Sequence, residues 1–373
     1  MITRDVKGFD KPVSMLGFGC MRFPTKEDGS IDEERAEKML LTAYNAGVNY
    51  FDTAYPYHNG ASEVFVGKVL DKLDRDTYFL TTKLPVWEVK TRDEAKDMFF
   101  KQLSRLNKTY VDCYLLHAMN EERFAACKEA GIIDLLFELK EQGYIRNVGF
   151  SFHDDYPVFE KWIKAAPWDI CQIQINYMDT ENQAGVKGIE LAESLGIPMI
   201  AMEPIRGGSL VMFPDELMTE LNELKPGATK ASWALRFVGS FDNIKVTLSG
   251  MTEEFQVEDN LKTFENFEKL SAEENAAVLK LRDELNSRVY NLCTGCRYCM
   301  PCPGGVDIPH NFRIWNDFGK YNNVSQAKWE WSAMPEESKS TNCLQCGMCE
   351  EACPQKLSIR DDLMKQADFF QSL

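Results

Sequence analysis

From Leu16 to Gly250 short apolar runs alternate with amphipathic helical stretches, and nothing else in the chain restricts its fold so strongly. Such alternation is the signature of βα units built around a parallel sheet. Eight runs read as strands: Leu16–Cys20, Val48–Thr53, Tyr78–Lys83, Asp112–His117, Asn147–Phe152, Ile170–Asn176, Pro198–Glu203 and Ile244–Ser249. Eight parallel strands predict an α/β fold closed as a (β/α)8 TIM barrel. The connecting helices carry their own punctuation. Ala36, Met39, Leu40 and Ala43 recur at helical spacing ahead of Gly47, and Thr91 with Glu94 forms a capping box. An open dinucleotide-binding sheet needs a third glycine that Gly17-Phe-Gly19-Cys-Met-Arg22 lacks. A serine hydrolase is not indicated either, because Gly149-Phe-Ser151-Phe-His153 misses the second glycine of the nucleophile elbow.

Downstream of the alternation the composition changes. Eight of the twelve cysteines fall in the last 81 residues: Cys293, Cys296, Cys299 and Cys302 before Pro303, then Cys343, Cys346, Cys349 and Cys353 before Pro354. The second group has the spacing by which bacterial ferredoxins hold 4Fe–4S clusters, and the first is one residue short of it. Structural zinc would need only paired cysteines and would leave four unexplained. Disulfides are weaker still, since Met1-Ile-Thr-Arg-Asp has no apolar core and a reducing cytoplasm is the expected location. Cys20, Cys113, Cys127 and Cys171 are scattered singly and read as small buried hydrophobes.

The 373 residues allow one large domain and a small one. With 42 basic against 58 acidic residues the net charge is −16, so a nucleic-acid partner is not expected. No apolar run is long enough for a membrane span, and no membrane association is expected. Ser271 with Glu274 opens a further helix, expected from Ala272 to about Val289. The expected domains are therefore a barrel over 1–270, a linker helix over 271–290 and a small, mainly helical domain over 291–373.

In a parallel barrel the chemistry sits where strands end. Asp52, Lys83, His117 and Ser151 close successive apolar runs, and Tyr57 follows Asp52 in the next loop. Singly each has a dull explanation: a helix cap, a snorkelling lysine, a hydrogen-bonded core histidine. Together at one face they read as a site. A lysine cation held by an aspartate favours phenolate over phenol, so the tyrosine pKa is expected to be lowered and the hydroxyl to serve as a general acid.

These residues carry a resemblance. Phe51-Asp-Thr-Ala-Tyr-Pro-Tyr57 with Gly60 and Ser62-Glu63, Thr82-Lys83, Leu115-Leu116-His117 and Gly149-Phe-Ser151 resemble the aldo-keto reductases, over about Leu16 to Asn260. The resemblance implies reduction of an aldehyde or ketone, a small carbonyl substrate, with a nicotinamide cofactor, NADH or NADPH. It makes Tyr57 the proton donor, Lys83 and Asp52 its tuning pair, and His117 the group that orients the carbonyl oxygen. It assigns Ser151 and Gln172 to the nicotinamide carboxamide, Arg206, Gly207 and Gly208 to the pyrophosphate, and Asn260 to the adenine end. Met202 stands where many members stack a tyrosine on the nicotinamide, and Phe152 and His153 follow Ser151 where many members have asparagine first. Gly250 and Gln256 fall where the family clamps a 2′-phosphate, and neither carries charge.

Barrel plus tail resembles a branch of the same family with a C-terminal 4Fe–4S ferredoxin-type domain. The long spacer, with Asn311-Phe-Arg-Ile-Trp-Asn-Asp-Phe318, points to a helical ferredoxin fold. Crossed ligation, as in two-cluster ferredoxins, gives Cys293, Cys296, Cys299 and Cys353 to one cluster and Cys343, Cys346, Cys349 and Cys302 to the other. An electron-transfer protein is the implied partner. A nicotinamide gives two electrons at once whereas each cluster passes one, so a flavin is the expected intermediary, although no flavin motif is legible. The alternatives are a redox-sensing barrel with little turnover and clusters that only staple the tail.

Overall fold

The computed structural model describes every residue from Met1 to Leu373. The chain divides into two compact units: Met1–Arg206 with Ala228–Ser271, and Gly207–Gly227 with Ala272–Leu373.

The first unit opens with two short antiparallel strands, β1 (Thr3–Arg4) and β2 (Val13–Ser14). Eight parallel strands follow: β3 (Leu16–Gly19), β4 (Tyr50–Asp52), β5 (Phe79–Leu84), β6 (Val111–Met119), β7 (Ile145–Phe152), β8 (Ile170–Gln174), β9 (Met199–Met202) and β10 (Ile244–Gly250). They close into a barrel through the pairing of β10 with β3, as the eight apolar runs predict. Helices lie between them with the expected signals: Asp32 caps Glu33–Asn45, and the Thr91/Glu94 capping box opens Arg92–Leu106.

The hairpin β1–β2 was not foreseen, because strands of two residues carry no readable periodicity. Val6, Val13 and Phe9 pack with Tyr50, Phe79, Ile170, Ile200 and Val246, all near the starts of their strands. The hairpin therefore plugs the N-terminal end of the barrel with apolar side chains, each contributing ~1.5–3 kcal/mol when fully buried. Polar residues are left to the opposite end.

Register then sets which polar residues are neighbours: Gly19 pairs with Asp52, and Ser151 with Gln172. Gly149 makes the second pairing possible, since a Cβ there would stand 2.2 Å from the Ile170 carbonyl oxygen.

The second unit is mainly helical. It contains Ala272–Ser287, Ile308–Tyr321, Val324–Ala333, Met348–Ala352 and Ile359–Ser372, and the segment read as helical around Phe312 lies in the second of these. Ala272–Ser287 buries Ala277, Val278, Leu281 and Leu285 in one stripe. Val306, Phe312, Ile314, Trp315, Leu363 and Phe370 build a core of their own. No helix of the chain is long and apolar enough to cross a membrane.

Candidate active site

Lys83, near the end of β5, is fully buried, and its ammonium is completely spoken for. Nζ donates to Asp52 Oδ1 at 2.6 Å, to the Thr53 carbonyl at 2.8 Å and to the Tyr57 hydroxyl at 3.2 Å. An ammonium has three donors, and here all three are used. Tyr57 opens the turn Tyr57–Gly60, where His58 and Asn59 both hold left-handed backbone (φ 52° and 53°). Such strain persists only where the surroundings enforce it. His58 Nε2 accepts from the Phe23 amide at 3.2 Å, and its ring stacks on Phe23, which pins the turn from below. His117 on β6 meets the Tyr57 ring edge-on, with centroids 6.0 Å apart. The structure thus brings Asp52, Tyr57, Lys83 and His117 to one place.

Electrostatics correct one expectation. Burial pushes the Tyr57 hydroxyl above its ordinary value; the Lys83 cation pulls it down but is outweighed. Spacing along the chain reports the cation but not the desolvation. Burial also raises the Asp52 carboxyl, against the pull of Lys83. Desolvation opposes the Lys83 charge, yet Asp52 and Tyr57 hold it above the usual lysine value. His117 is depressed to about 2 by burial, with Lys83, His153 and Arg123 adding repulsion. Its imidazole is neutral wherever the protein is folded near neutral pH.

Behind Lys83 lies a buried polar network. Glu63, fully buried, accepts from Thr82 Oγ1 at 2.7 Å and Gln102 Nε2 at 2.6 Å, and pairs with Arg105 Nε at 2.7 Å. Gln102 also donates to the Lys83 carbonyl at 3.0 Å. The strand end carrying the ammonium is thereby fixed from the back.

The residues assigned to a nicotinamide are more dispersed. Ser151 Oγ accepts from the Ala118 amide at 2.8 Å, and Gln172 Nε2 reaches Met202 Sδ at 3.5 Å. Arg206 Nε meets Asp179 Oδ2 at 3.1 Å, and Gly207 and Gly208 continue the turn with φ of 62° and 94°. Asn260 is buried and donates to Ser249 Oγ at 2.9 Å. Gln256 Oε1 accepts from the amides of Thr252 and Glu253, closing a helix cap, and the Arg22 side chain lies against Gly250. Asp52 Oδ2, His117 Nδ1 and Gln172 Oε1 are buried without a hydrogen-bond partner. Asp52 shares Lys83 with Tyr57 and His117 meets the Tyr57 ring, while Gln172 pairs with Ser151; orphaned polar atoms at these positions suit a polar ligand, so the residues fit a carbonyl and a nicotinamide.

In the second unit, Cys293, Cys296 and Cys299 line one small pocket together with Cys353, which stands more than 50 residues away in sequence. That is a donor set of four thiols brought to one cavity, and it fits a cubane cluster. Gly304, two residues after Cys302, lies close to the segment before Cys343: a Cβ there would stand 2.7 Å from the Asn342 carbonyl oxygen. Cys353 belongs to the apolar core, and Cys293, Cys299, Cys302, Cys343 and Cys349 pack against it.

Sequence reasoning missed Trp87, whose ring lies 5.1 Å from that of His117. It follows Lys83 by four residues in the loop after β5, and counting aromatic residues in the loops beyond the strand ends would have found it. Arg123, whose guanidinium lies over Trp87, was missed too; its helical position carries no such signal.

Comparison with known proteins gives the same two parts. The model of the aldo/keto reductase family matches residues 15–283, and that of a 4Fe-4S dicluster domain matches 292–357. An aldo-keto reductase of Mycolicibacterium vanbaalenii is 28% identical over 72% of this chain and 88% of its own length. An NADH-specific methylglyoxal reductase of Escherichia coli is 28% identical over 49% of this chain, which spans 60% of that protein. The holo form of an aldo-keto reductase from Bacillus halodurans superposes with a TM-score of 0.63 at 26% identity, covering 75% of this chain and 96% of that one.

Proposed function

Because the chain belongs to the aldo/keto reductase family and carries a 4Fe-4S dicluster domain, we propose that it reduces an aldehyde or ketone at the C-terminal end of its barrel, with Tyr57 as proton donor. The observation that carries this reading is the Lys83 ammonium, shared at once between Asp52 and the Tyr57 hydroxyl. A binding module has no use for a buried cation aimed at a phenol.

Ser151, Gln172, the Arg206–Gly208 turn and Asn260 would hold the nicotinamide, which when bound supplies hydride to the carbonyl carbon. Tyr57 gives its proton to the carbonyl oxygen as negative charge gathers there. Lys83 then stabilises the phenolate at a distance of 3.2 Å, and Asp52 keeps the ammonium charged and in place. His117, neutral, orients the carbonyl oxygen by a hydrogen bond without competing for the proton. Burial of Tyr57 above its ordinary pKa keeps the acid loaded at neutral pH.

The two cysteine groups would hold two 4Fe–4S clusters in the crossed arrangement, and these supply one-electron transfer when present. A second reading has its own support: six of the eight ligand candidates belong to or pack against the apolar core of the second unit, as clusters serving only as staples would require. Cluster-loaded protein mixed with an aldehyde and a reduced nicotinamide carrying two deuteriums at C4 tests the main reading. One deuterium per nicotinamide oxidised is expected at the alcohol carbon; an absence of turnover across a broad aldehyde and ketone panel would overturn it.

A further inference from the structure

We propose that Arg123 forms an anion-binding subsite beside the catalytic group, and that the substrate is an oxo acid, carrying a carboxylate as well as the reducible carbonyl. The inference rests on the carbonyl-reductase reading for the identity of the neighbouring site.

Arg123 belongs to the helix Glu121–Glu129, which begins directly after β6, the strand that carries His117. Its Nη1 donates to the Ala118 carbonyl at 2.6 Å, one residue beyond His117. Ala118 itself holds left-handed backbone (φ 53°), and its amide is bound by Ser151 Oγ. The guanidinium carbon stands 5.1 Å from the Trp87 ring centroid, and that ring stands 5.1 Å from His117. An aromatic face and a carbonyl therefore hold the guanidinium next to the group assigned to orient the reacting oxygen.

What the arginine lacks is an anion. A guanidinium offers five donors, and a single protein acceptor uses one of them. Of the carboxylates at the same helix start, Asp154 accepts from the amides of Glu121 and Asp155, Glu121 accepts from Lys161 and from Trp162 Nε1, and Glu122 is exposed and forms no ion pair with Arg123. The groups that act electrostatically on His117 are Lys83, His153 and Arg123, with no carboxylate among them, and Asp52 is bound to Lys83. A neutral aldehyde would leave the half-buried guanidinium to the Ala118 carbonyl, the Trp87 face and water. A carboxylate matches its planar fork in both charge and geometry. Trp87 is 43% exposed, which gives the body of such a substrate an aromatic wall between its two polar ends.

The test uses cluster-loaded protein and four probes, the meta and para carboxylates of benzaldehyde and the corresponding carboxamides, which differ from the acids in charge. Calorimetry with the oxidised nicotinamide bound gives the acid-over-amide ratio of Kd without turnover, and steady-state assays give that of kcat/KM. Wild type is expected to favour at least one acid about tenfold or more, the scale of one hydrogen bond to a charged group. Arg123→Gln should bring both ratios close to one, and Arg123→Lys should keep part of the preference, which separates lost charge from a disturbed loop. An equal ratio in wild type and Arg123→Gln, or no preference for either acid in wild type, would overturn the proposal. Turnover that survives Tyr57→Phe would instead overturn Tyr57 as the proton donor, and absence of turnover in wild type would overturn the reductase reading, while the ratio of Kd values would still decide the role of Arg123.

Discussion

Tyr57 lies between two opposed influences: burial raises its pKa, and the Lys83 cation lowers it. For an acid that must be protonated to act, the capacity is fully present below the pKa and is lost as pH rises through it. His117, held at about 2, adds no titration of its own in the neutral range. The pH dependence of kcat/KM for carbonyl reduction should therefore show no histidine limb in the neutral range and should fall on the alkaline side. An acidic limb near the usual histidine pKa, abolished by His117→Gln, would contradict the assignment. The four site residues were legible in sequence because each closes a strand or follows one at a fixed step. The sign of the Tyr57 shift was not legible, because desolvation depends on how many atoms surround the hydroxyl. Trp87, in the loop after β5, meets Arg123, in the helix after β6, a contact that no spacing along the chain reports.

Among the elements, the pairing of β7 with β8 couples the barrel frame to the proposed nicotinamide contacts, since Ser151 and Gln172 are register partners. Gly149 lets these strands approach. In Gly149→Ala the new methyl would lie 2.2 Å from the Ile170 carbonyl oxygen and 2.7 Å from its Cγ2, both on the neighbouring strand. The substitution should cost ~1–3 kcal/mol, the range for overpacking, and weaken nicotinamide binding by moving Gln172. Urea unfolding would show a lower midpoint at unchanged slope; a midpoint equal to wild type would mean that the strands separate without penalty. At this scale the sequence was informative where an element is long enough to show a period or a cap, as in Arg92–Leu106. It was silent on the β1–β2 hairpin, which is held by packing against strand starts rather than by any pattern of its own.

For the whole molecule, the question is how a two-electron donor and one-electron centres share a chain. One hydride carries two electrons, and two clusters accept one each, so the count closes at one nicotinamide per protein. If the clusters are redox-active, anaerobic addition of NADH or NADPH should bleach the visible cluster absorption, complete near one equivalent. Unchanged absorption during brisk aldehyde turnover would leave them as staples of the second unit, in keeping with their packing on its core. The barrel chemistry stands under either outcome, because beyond the nicotinamide's hydride it needs only Tyr57, its tuning pair and His117. The most direct measurement of that chemistry is kcat/KM for an aldehyde with saturating nicotinamide, in wild type and in Tyr57→Phe with equal cluster content. A general acid is worth ~10²–10⁴ in rate, so the variant should lose at least a hundredfold while still binding the nicotinamide. Turnover within about tenfold of wild type would contradict the account.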